Sequence, residues 1–359
     1  MNRSNPHSPR KGRGSTSNRS GRFENQQCHV INDDWTRDED AQPPNTLLRE
    51  DTSRTIIVRN SSPDIPFDRS INPYRGCEHG CVYCFARPTH AYLGLSPGLD
   101  FETQLFFKPE AARLLEAELR HPSYRCDVIA MGTNTDPYQP VERDKRITRQ
   151  ILEVLSAFDH PVEIVTKSTL VLRDLDILAP MAARGLAQVC VSVTTLDRNL
   201  ARRLEPRAAT PSRRIETIRT LAAAGVPTGV MASPMIPGLN DHELEAILSQ
   251  ASAAGAEFAS YILIRLPLEI ADLFAEWLEA HVPNRAKRVM SLIRETRGGK
   301  TYQSQFGLRM RGTGTYAELL TQRFQLAVDR LRLNERRLEL NTGQFTPPPT
   351  NDDQFELFS

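Results

Sequence analysis

Short apolar runs alternate with amphipathic stretches from Asp127 to Trp277, and this rhythm constrains the fold more than any other feature of the chain. The runs are DVIAMG (127–132), VEIVT (162–166), QVCVSVT (188–194), VPTGVMA (226–232) and FASYILI (258–264). Each is too short for a stable helix and reads as a buried strand. Interleaved with them, PEAARLLEAELR, DKRITRQILEVLSAF, LRDLDILAPMAARG, SRRIETIRTLAAAG and DHELEAILSQASAAG carry apolar residues at helical spacing. The last three stop at or near Gly185, Gly225 and Gly255, where a left-handed helix end favours glycine. A weaker strand is expected around Ser70 to Pro73. Strand then helix, repeated about six times at roughly 30-residue spacing, requires parallel strands joined by right-handed crossovers. The fold class is therefore α/β. The pattern alone does not separate an open doubly wound sheet from a barrel.

Outside this region the composition changes. The first 22 residues hold six Arg or Lys and no acid. So little apolar surface cannot offset the entropy of ordering, so residues 1–54 are expected to form a disordered basic arm and an acidic linker through DDWTRDED. The alternating unit is expected over 55–284, a basic helical extension over 285–340 and a flexible Pro-rich tail over 341–359. The extension carries 13 Lys or Arg against 5 Asp or Glu. Within it, TYAELLTQRFQLAVDRLRL keeps helical spacing, with Thr315 in position to cap. Net charge over the 359 residues is +1, so the overall balance selects no partner. No apolar segment follows the opening basic residues, and runs such as LAQVCVSV are far shorter than a bilayer span. A cytoplasmic chain without a membrane segment is expected.

Half of the six cysteines fall in RGCEHGCVYCFA: Cys77, Cys81 and Cys84, with gaps of three and then two residues. In a reducing compartment such thiols suit zinc or an iron–sulfur cluster better than disulfides. Structural zinc sites pair two short Cys-x2-Cys units or add histidines. This chain has one pair and one companion, with His79 as the residue that would complete a zinc site. Cys28, Cys126 and Cys190 are scattered and read as buried small hydrophobes or incidental residues. Three thiolates on a four-iron cluster leave one iron open to a small molecule that binds through an amine and a carboxylate.

With aromatic Tyr83 before the last cysteine, Cys77-x3-Cys81-x2-Cys84 resembles the radical S-adenosylmethionine signature. The surrounding SPDIPFDRSINPYRGCEHGCVYCFARPTHAYLG resembles the spore photoproduct lyase-like branch, and the likeness extends over about residues 55–340. The resemblance implies a partial (β/α)6 TIM-type barrel with a C-terminal helical extension. It also implies a 4Fe–4S cluster on Cys77, Cys81 and Cys84, S-adenosylmethionine on the open iron, and a flavodoxin or ferredoxin as electron donor. Reductive cleavage of the sulfonium would leave a 5′-deoxyadenosyl radical that abstracts hydrogen from substrate. Cofactor contacts are implied at Tyr83, Thr133, Asn134, Asp136, Ser192 and Arg207, with Glu142 as a second acid beside Asp136 and Gly238 as a close backbone approach to adenine. Lys167, at the end of its strand, faces either the site or the surface. The TNTDPYQPVE segment departs from the family's glycine-glycine-glutamate form, which leaves its residues as candidates. No cysteine matches the hydrogen-atom donor of the lyase, so the catalytic residues stay unassigned.

Two features bear on the substrate. The Arg-rich 285–340 segment, with Tyr302 and Phe306 among its charges, is suited either to nucleic acid or to covering one barrel edge. The terminal Gln354-Phe355-Glu356-Leu357-Phe358 resembles the peptide by which bacterial repair proteins bind the DNA polymerase sliding clamp. The leading expectation is a radical enzyme related to DNA repair and acting on nucleic acid. Its rivals act on a peptide, tRNA or small metabolite, or lack turnover altogether as an iron–sulfur accessory protein on DNA.

Overall fold

The computed structural model describes residues 12–24, 45–336 and 339–349. Ten strands lie along the described chain: β1 Leu47–Glu50, β2 Ile57–Arg59, β3 Arg69–Ile71, β4 Tyr74–Arg75, β5 Gln104–Phe107, β6 Ile129–Met131, β7 Val162–Thr166, β8 Ala187–Ser192, β9 Thr228–Met235 and β10 Phe258–Leu263. Six of them run parallel in the spatial order β3, β6, β7, β8, β9, β10. β2 joins β3 antiparallel at the outer edge. This is a partial (β/α)6 barrel of the TIM type, and the five strands read from the apolar runs are β6 to β10.

The core explains the alternation. Ile129, Met131, Val162, Ile164, Val189, Val191 and Val230 are fully buried in the sheet. The helix Ile147–Ala157 buries Ile147, Ile151, Leu152 and Leu155 along one stripe. Each such side chain removed from water stabilises the fold by about 1.5–3 kcal/mol. Gly185, Gly225 and Gly255 have φ of 72°, 75° and 98°, as the helix-stop reading requires. The last long helix, Thr315–Leu331, buries Leu320, Phe324, Ala327 and Val328 in the main core. Its Phe324 ring lies 4.8 Å from that of Tyr261 in β10. Gly314, not Thr315, occupies the cap position of this helix. No helix among the described residues is long and apolar enough to cross a membrane.

Three features differ from expectation. β1 pairs in parallel with β5, which pairs antiparallel with β4, to form a separate three-stranded sheet. Ordered chain thus begins before Thr55. Residues 12–24, within the arm expected to be disordered, lie against the barrel with Ser15 and Thr16 almost wholly buried. Residues 341–349, expected to be flexible, dock at the opposite end. Phe345 packs against Tyr124 and His160 with ring centroids 5.4 and 5.5 Å away, and the Thr346 N–H donates to the Phe158 carbonyl at 3.0 Å. In both segments a few specific contacts outweigh a polar composition. Cys28 and the Gln354, Leu357 and Phe358 peptide lie outside the described residues.

Candidate functional site

The loops of such barrels build their sites at the C-terminal ends of the strands. Here those ends surround a cavity that is partly open to solvent. The loop after β4 brings Cys77, His79, Cys81, Tyr83 and Cys84 to its wall. The segment after β6 brings Gly132, Thr133, Asn134, Thr135 and Asp136. Thr166 and Lys167 come from the end of β7, Ser192 from β8, and Ser233 and Pro234 from β9. Arg265 follows β10. Tyr83, Thr133, Asn134, Asp136 and Ser192, proposed from widely separated parts of the chain, therefore share one cavity with the three cysteines.

The cysteine loop owes its shape to two glycines and two buried side chains. Gly76 (φ 77°) and Gly80 (φ 66°) bracket the first thiol. A Cβ on Gly76 would meet Leu105 Cδ2 at 2.6 Å and the Phe101 carbonyl oxygen at 2.8 Å, so only glycine fits. Arg87, fully buried, donates to the carbonyls of Cys81 (2.9 Å), Gly80 (3.2 Å), Pro97 (3.0 Å) and Gly98 (2.7 Å) and pairs with Glu102 at 2.5 Å. Gln139 accepts from the Glu78 N–H at 2.8 Å and donates to the Gly76 carbonyl at 3.2 Å. Burial pushes all three thiols above their usual range. Without a compensating cation they stay protonated. A metal centre bound there would supply that positive charge and favour the thiolate form. Among the described residues no three His, Cys, Asp or Glu side chains converge on a single ion. All three thiols lie on the wall of the cavity.

Asp136 organises the neighbouring loop. It accepts from Thr166 Oγ1 at 2.7 Å, the Lys167 N–H at 2.7 Å and the Tyr138 N–H at 2.9 Å, and His79 Nδ1 lies 3.3 Å away. Burial opposes ionisation of Asp136, but His79 and these donors outweigh it and lower its pKa. Its oxygens are already engaged, so Asp136 positions the wall more than it offers a free acceptor. Asn72 braces the same loop, receiving the Asn134 N–H at 3.0 Å and bonding Thr133 Oγ1.

Behind Cys81 lies a buried polar network. The Tyr83 hydroxyl, whose pKa burial raises strongly, donates to Glu205 and lies 3.1 Å from Thr194 Oγ1. Glu205 is paired closely with Arg214, accepts from Thr194 at 2.5 Å, and has Lys167 Nζ at 3.6 Å. Burial disfavours its charge, yet Arg214 and Lys167 bring its pKa to about 2. Lys167 also donates to Ser192 Oγ at 2.5 Å. The network fixes the Tyr83 ring and leaves Lys167 and Ser192 as a cation and a hydroxyl on the cavity wall.

Three sequence candidates fall elsewhere. Arg207 pairs with Glu78 at 3.1 Å and is not on the cavity wall; Lys167 and Arg265 are the cations that reach it. Glu142 is fully buried beneath the site, receiving Tyr74 Oη at 2.5 Å and pairing with Arg173 at 2.8 Å. Gly238 (φ 74°) faces Leu292 Cδ1, which a Cβ would approach to 2.9 Å, so its role is packing against the helix Pro283–Glu295. Sequence reasoning missed Arg87, Glu102, Gln139, Arg214 and Arg265. Arg265 had a readable signal, a charge immediately after the apolar run FASYILI. Its guanidinium stacks 4.1 Å over Phe85 and has no ion pair among the described residues.

Residues 71–251 match the Radical SAM superfamily. Uncharacterized proteins of Mycobacterium tuberculosis and Mycobacterium bovis are each 40% identical over 232 residues, 64% of this chain and 68% of theirs. Among solved structures, spore photoproduct lyase complexed with dinucleoside spore photoproduct aligns over 79% of each chain with a TM-score of 0.57 at 15% identity, a likeness of fold.

Proposed function

Because the chain belongs to the radical SAM superfamily, and is thus an enzyme of that class, we propose that Cys77, Cys81 and Cys84 hold a 4Fe–4S cluster and that the adjoining cavity takes S-adenosylmethionine. The observation that carries this reading is the placement of all three thiols on one wall of the cavity at the C-terminal ends of the parallel strands. When bound, the two groups supply one-electron reductive cleavage and a carbon radical able to abstract hydrogen. The chain's own part is binding, orientation and exclusion of water. Lys167 and Ser192 face the cavity where a carboxylate or ribose needs a cation and a hydroxyl. Tyr83 is held rigid by Glu205. Met231, Pro234, Ile262 and Leu263 give one part of the wall an apolar face, which helps to keep water from a reactive radical.

The substrate side of the cavity suits an anionic molecule, and we read it as nucleic acid. Arg265 and Phe85 offer a guanidinium beside an aromatic face. On the adjoining extension, Arg285, Lys287, Arg288, Arg294, Lys300 and Arg311 are exposed, and Phe306 is 53% exposed beneath Arg309. Such a surface binds phosphates and stacks bases. Other basic residues of the segment serve the fold instead: Arg297 donates to four backbone carbonyls, Arg309 pairs with Asp64, and Arg323 with Glu245.

Anaerobically reconstituted protein given dithionite and S-adenosylmethionine is expected to release 5′-deoxyadenosine. Deuterium recovered in that product from labelled DNA, RNA or peptide pools identifies the substrate class. No deoxyadenosine above that of a Cys81→Ala control defeats the reading. Label from peptide alone replaces nucleic acid with peptide.

A further inference from the structure

The buried carboxylate of Glu102 links two parts of the chain far apart in sequence. One oxygen pairs with Arg87, the side chain that gathers the carbonyls of the cysteine loop. The same carboxylate accepts the backbone N–H of Gly14 at 3.0 Å and of Ser15 at 2.8 Å, while Arg13 donates to the Glu102 carbonyl at 3.0 Å. Gly14 lies so close to the loop that a Cβ there would come within 1.7 Å of the Gly80 carbonyl oxygen, between Cys77 and Cys81. Ser17 is also seated closely: a Cβ on Gly98 would meet its carbonyl at 2.4 Å. Gly80 and Gly98, the two glycines that face the segment, are both held by Arg87 through their carbonyls.

Complementary charge guides the segment to this place. Ser17 donates to Glu276 at 2.6 Å, Arg19 pairs with Asp272 at 3.2 Å and Arg22 with Glu269 at 2.7 Å. These acids form one face at the start and along the helix Ile270–His281. Exposed pairs of this kind contribute little individually. The determining contact is the buried one, because a fully buried carboxylate deprived of two of its donors is strongly destabilised where it stands.

We propose that residues 13–17 are a strap that holds the Cys77–Cys84 loop in its cluster-binding shape, acting on Arg87 through Glu102. The inference rests on the reading of the three cysteines as cluster ligands. Gly14 and Ser15 are positioning residues one layer behind those ligands, and their chemistry is that of amide donors to a carboxylate.

The test compares four anaerobically reconstituted proteins: the full chain, a chain lacking residues 1–24, Gly14→Val, and Arg19→Ala, which removes the pairs with Asp272 and Glu276 and leaves the Glu102 contact in place. The readouts are iron release to a chelator, the electron paramagnetic resonance line of the reduced protein, and the unfolding midpoint of the iron-free chain. The truncation and Gly14→Val are expected to release iron about 10–100-fold faster than the full chain, as loss of groups behind metal ligands does. Their resonance is expected to broaden, a change that a lower midpoint of the iron-free chain would not by itself produce, with Arg19→Ala unaffected. A peptide of residues 10–24 added in trans should slow release from the truncated chain. Equal release from the full chain, the truncation and Gly14→Val overturns the strap. If the truncation fails to fold, Gly14→Val alone decides in the same way. A full chain that binds no iron and sulfide defeats the cluster reading itself and the strap with it.

Discussion

Replacing Glu205 with glutamine keeps the shape of the network behind Cys81 and removes its only buried negative charge at that point. Arg214 is 2% exposed and Glu205 fully buried, so the variant leaves a guanidinium without its counter-charge. Breaking a buried pair from one side costs about 3–5 kcal/mol. An independent route gives a similar figure. Folding brings the Glu205 pKa from 4.5 to about 2, and at 1.36 kcal/mol per pH unit this is a stabilisation on the order of 3 kcal/mol. Because the folded-state value lies below the unfolded one, the contribution is complete above about pH 4.5 and is lost as pH falls toward 2. Urea and thermal unfolding of the iron-free chain at pH 7 should therefore show Glu205→Gln weaker by about 3–5 kcal/mol, a fall of roughly 4–7 °C in midpoint for a chain of 359 residues. The gap between variant and parent should narrow below pH 4.5. Removing both charges, as Glu205→Leu with Arg214→Met, should recover at least half of the loss. A single variant within about 1 kcal/mol of the parent, with no coupling in the double variant, would refute the argument.

Lys167→Met is expected to raise the KM for S-adenosylmethionine about ten-fold or more, equivalent to about 1.4 kcal/mol, while Arg207→Met leaves it unchanged; the reverse ranking would restore Arg207 as the cofactor's cation. Lys287→Glu with Arg294→Glu, two turns apart on one exposed helix face, should weaken DNA retention and reduce the salt slope by about 0.7–0.9 per lost phosphate contact. An unaltered slope means that this face does not meet nucleic acid. In a pull-down with the DNA polymerase sliding clamp, Leu357→Ala with Phe358→Ala is expected to abolish recovery seen with the intact chain, and equal recovery removes the clamp from the list of partners.

Legibility of the fold followed from how much of each element is decided locally. β7 was readable to the residue because VEIVT alternates between the barrel interior and its helical jacket. The glycine stops at 185, 225 and 255 were readable because a left-handed residue is a local requirement. β1 was not, since LLRE is exposed throughout and its strand character comes from β5, more than 50 residues away. The docked arm failed for the same reason: RGSTS is polar, and what orders it is a carboxylate at position 102. In the site, strand-end residues such as Ser192 could be placed because position after a strand fixes the face. Arg207 could not be separated from Lys167, because only the fold shows that Glu78 has already claimed the arginine.

The central claim concerns what the three thiols rim together. The direct measurement is iron, sulfide and zinc content of the anaerobically purified chain, with the electron paramagnetic resonance spectrum of its reduced form before and after S-adenosylmethionine is added. The account predicts about four irons and as many sulfides per chain, their loss in each of Cys77→Ala, Cys81→Ala and Cys84→Ala but not in Cys190→Ala, and a spectrum altered by the added cofactor. Zinc without sulfide, or a cluster that survives loss of any of those three cysteines, would contradict it.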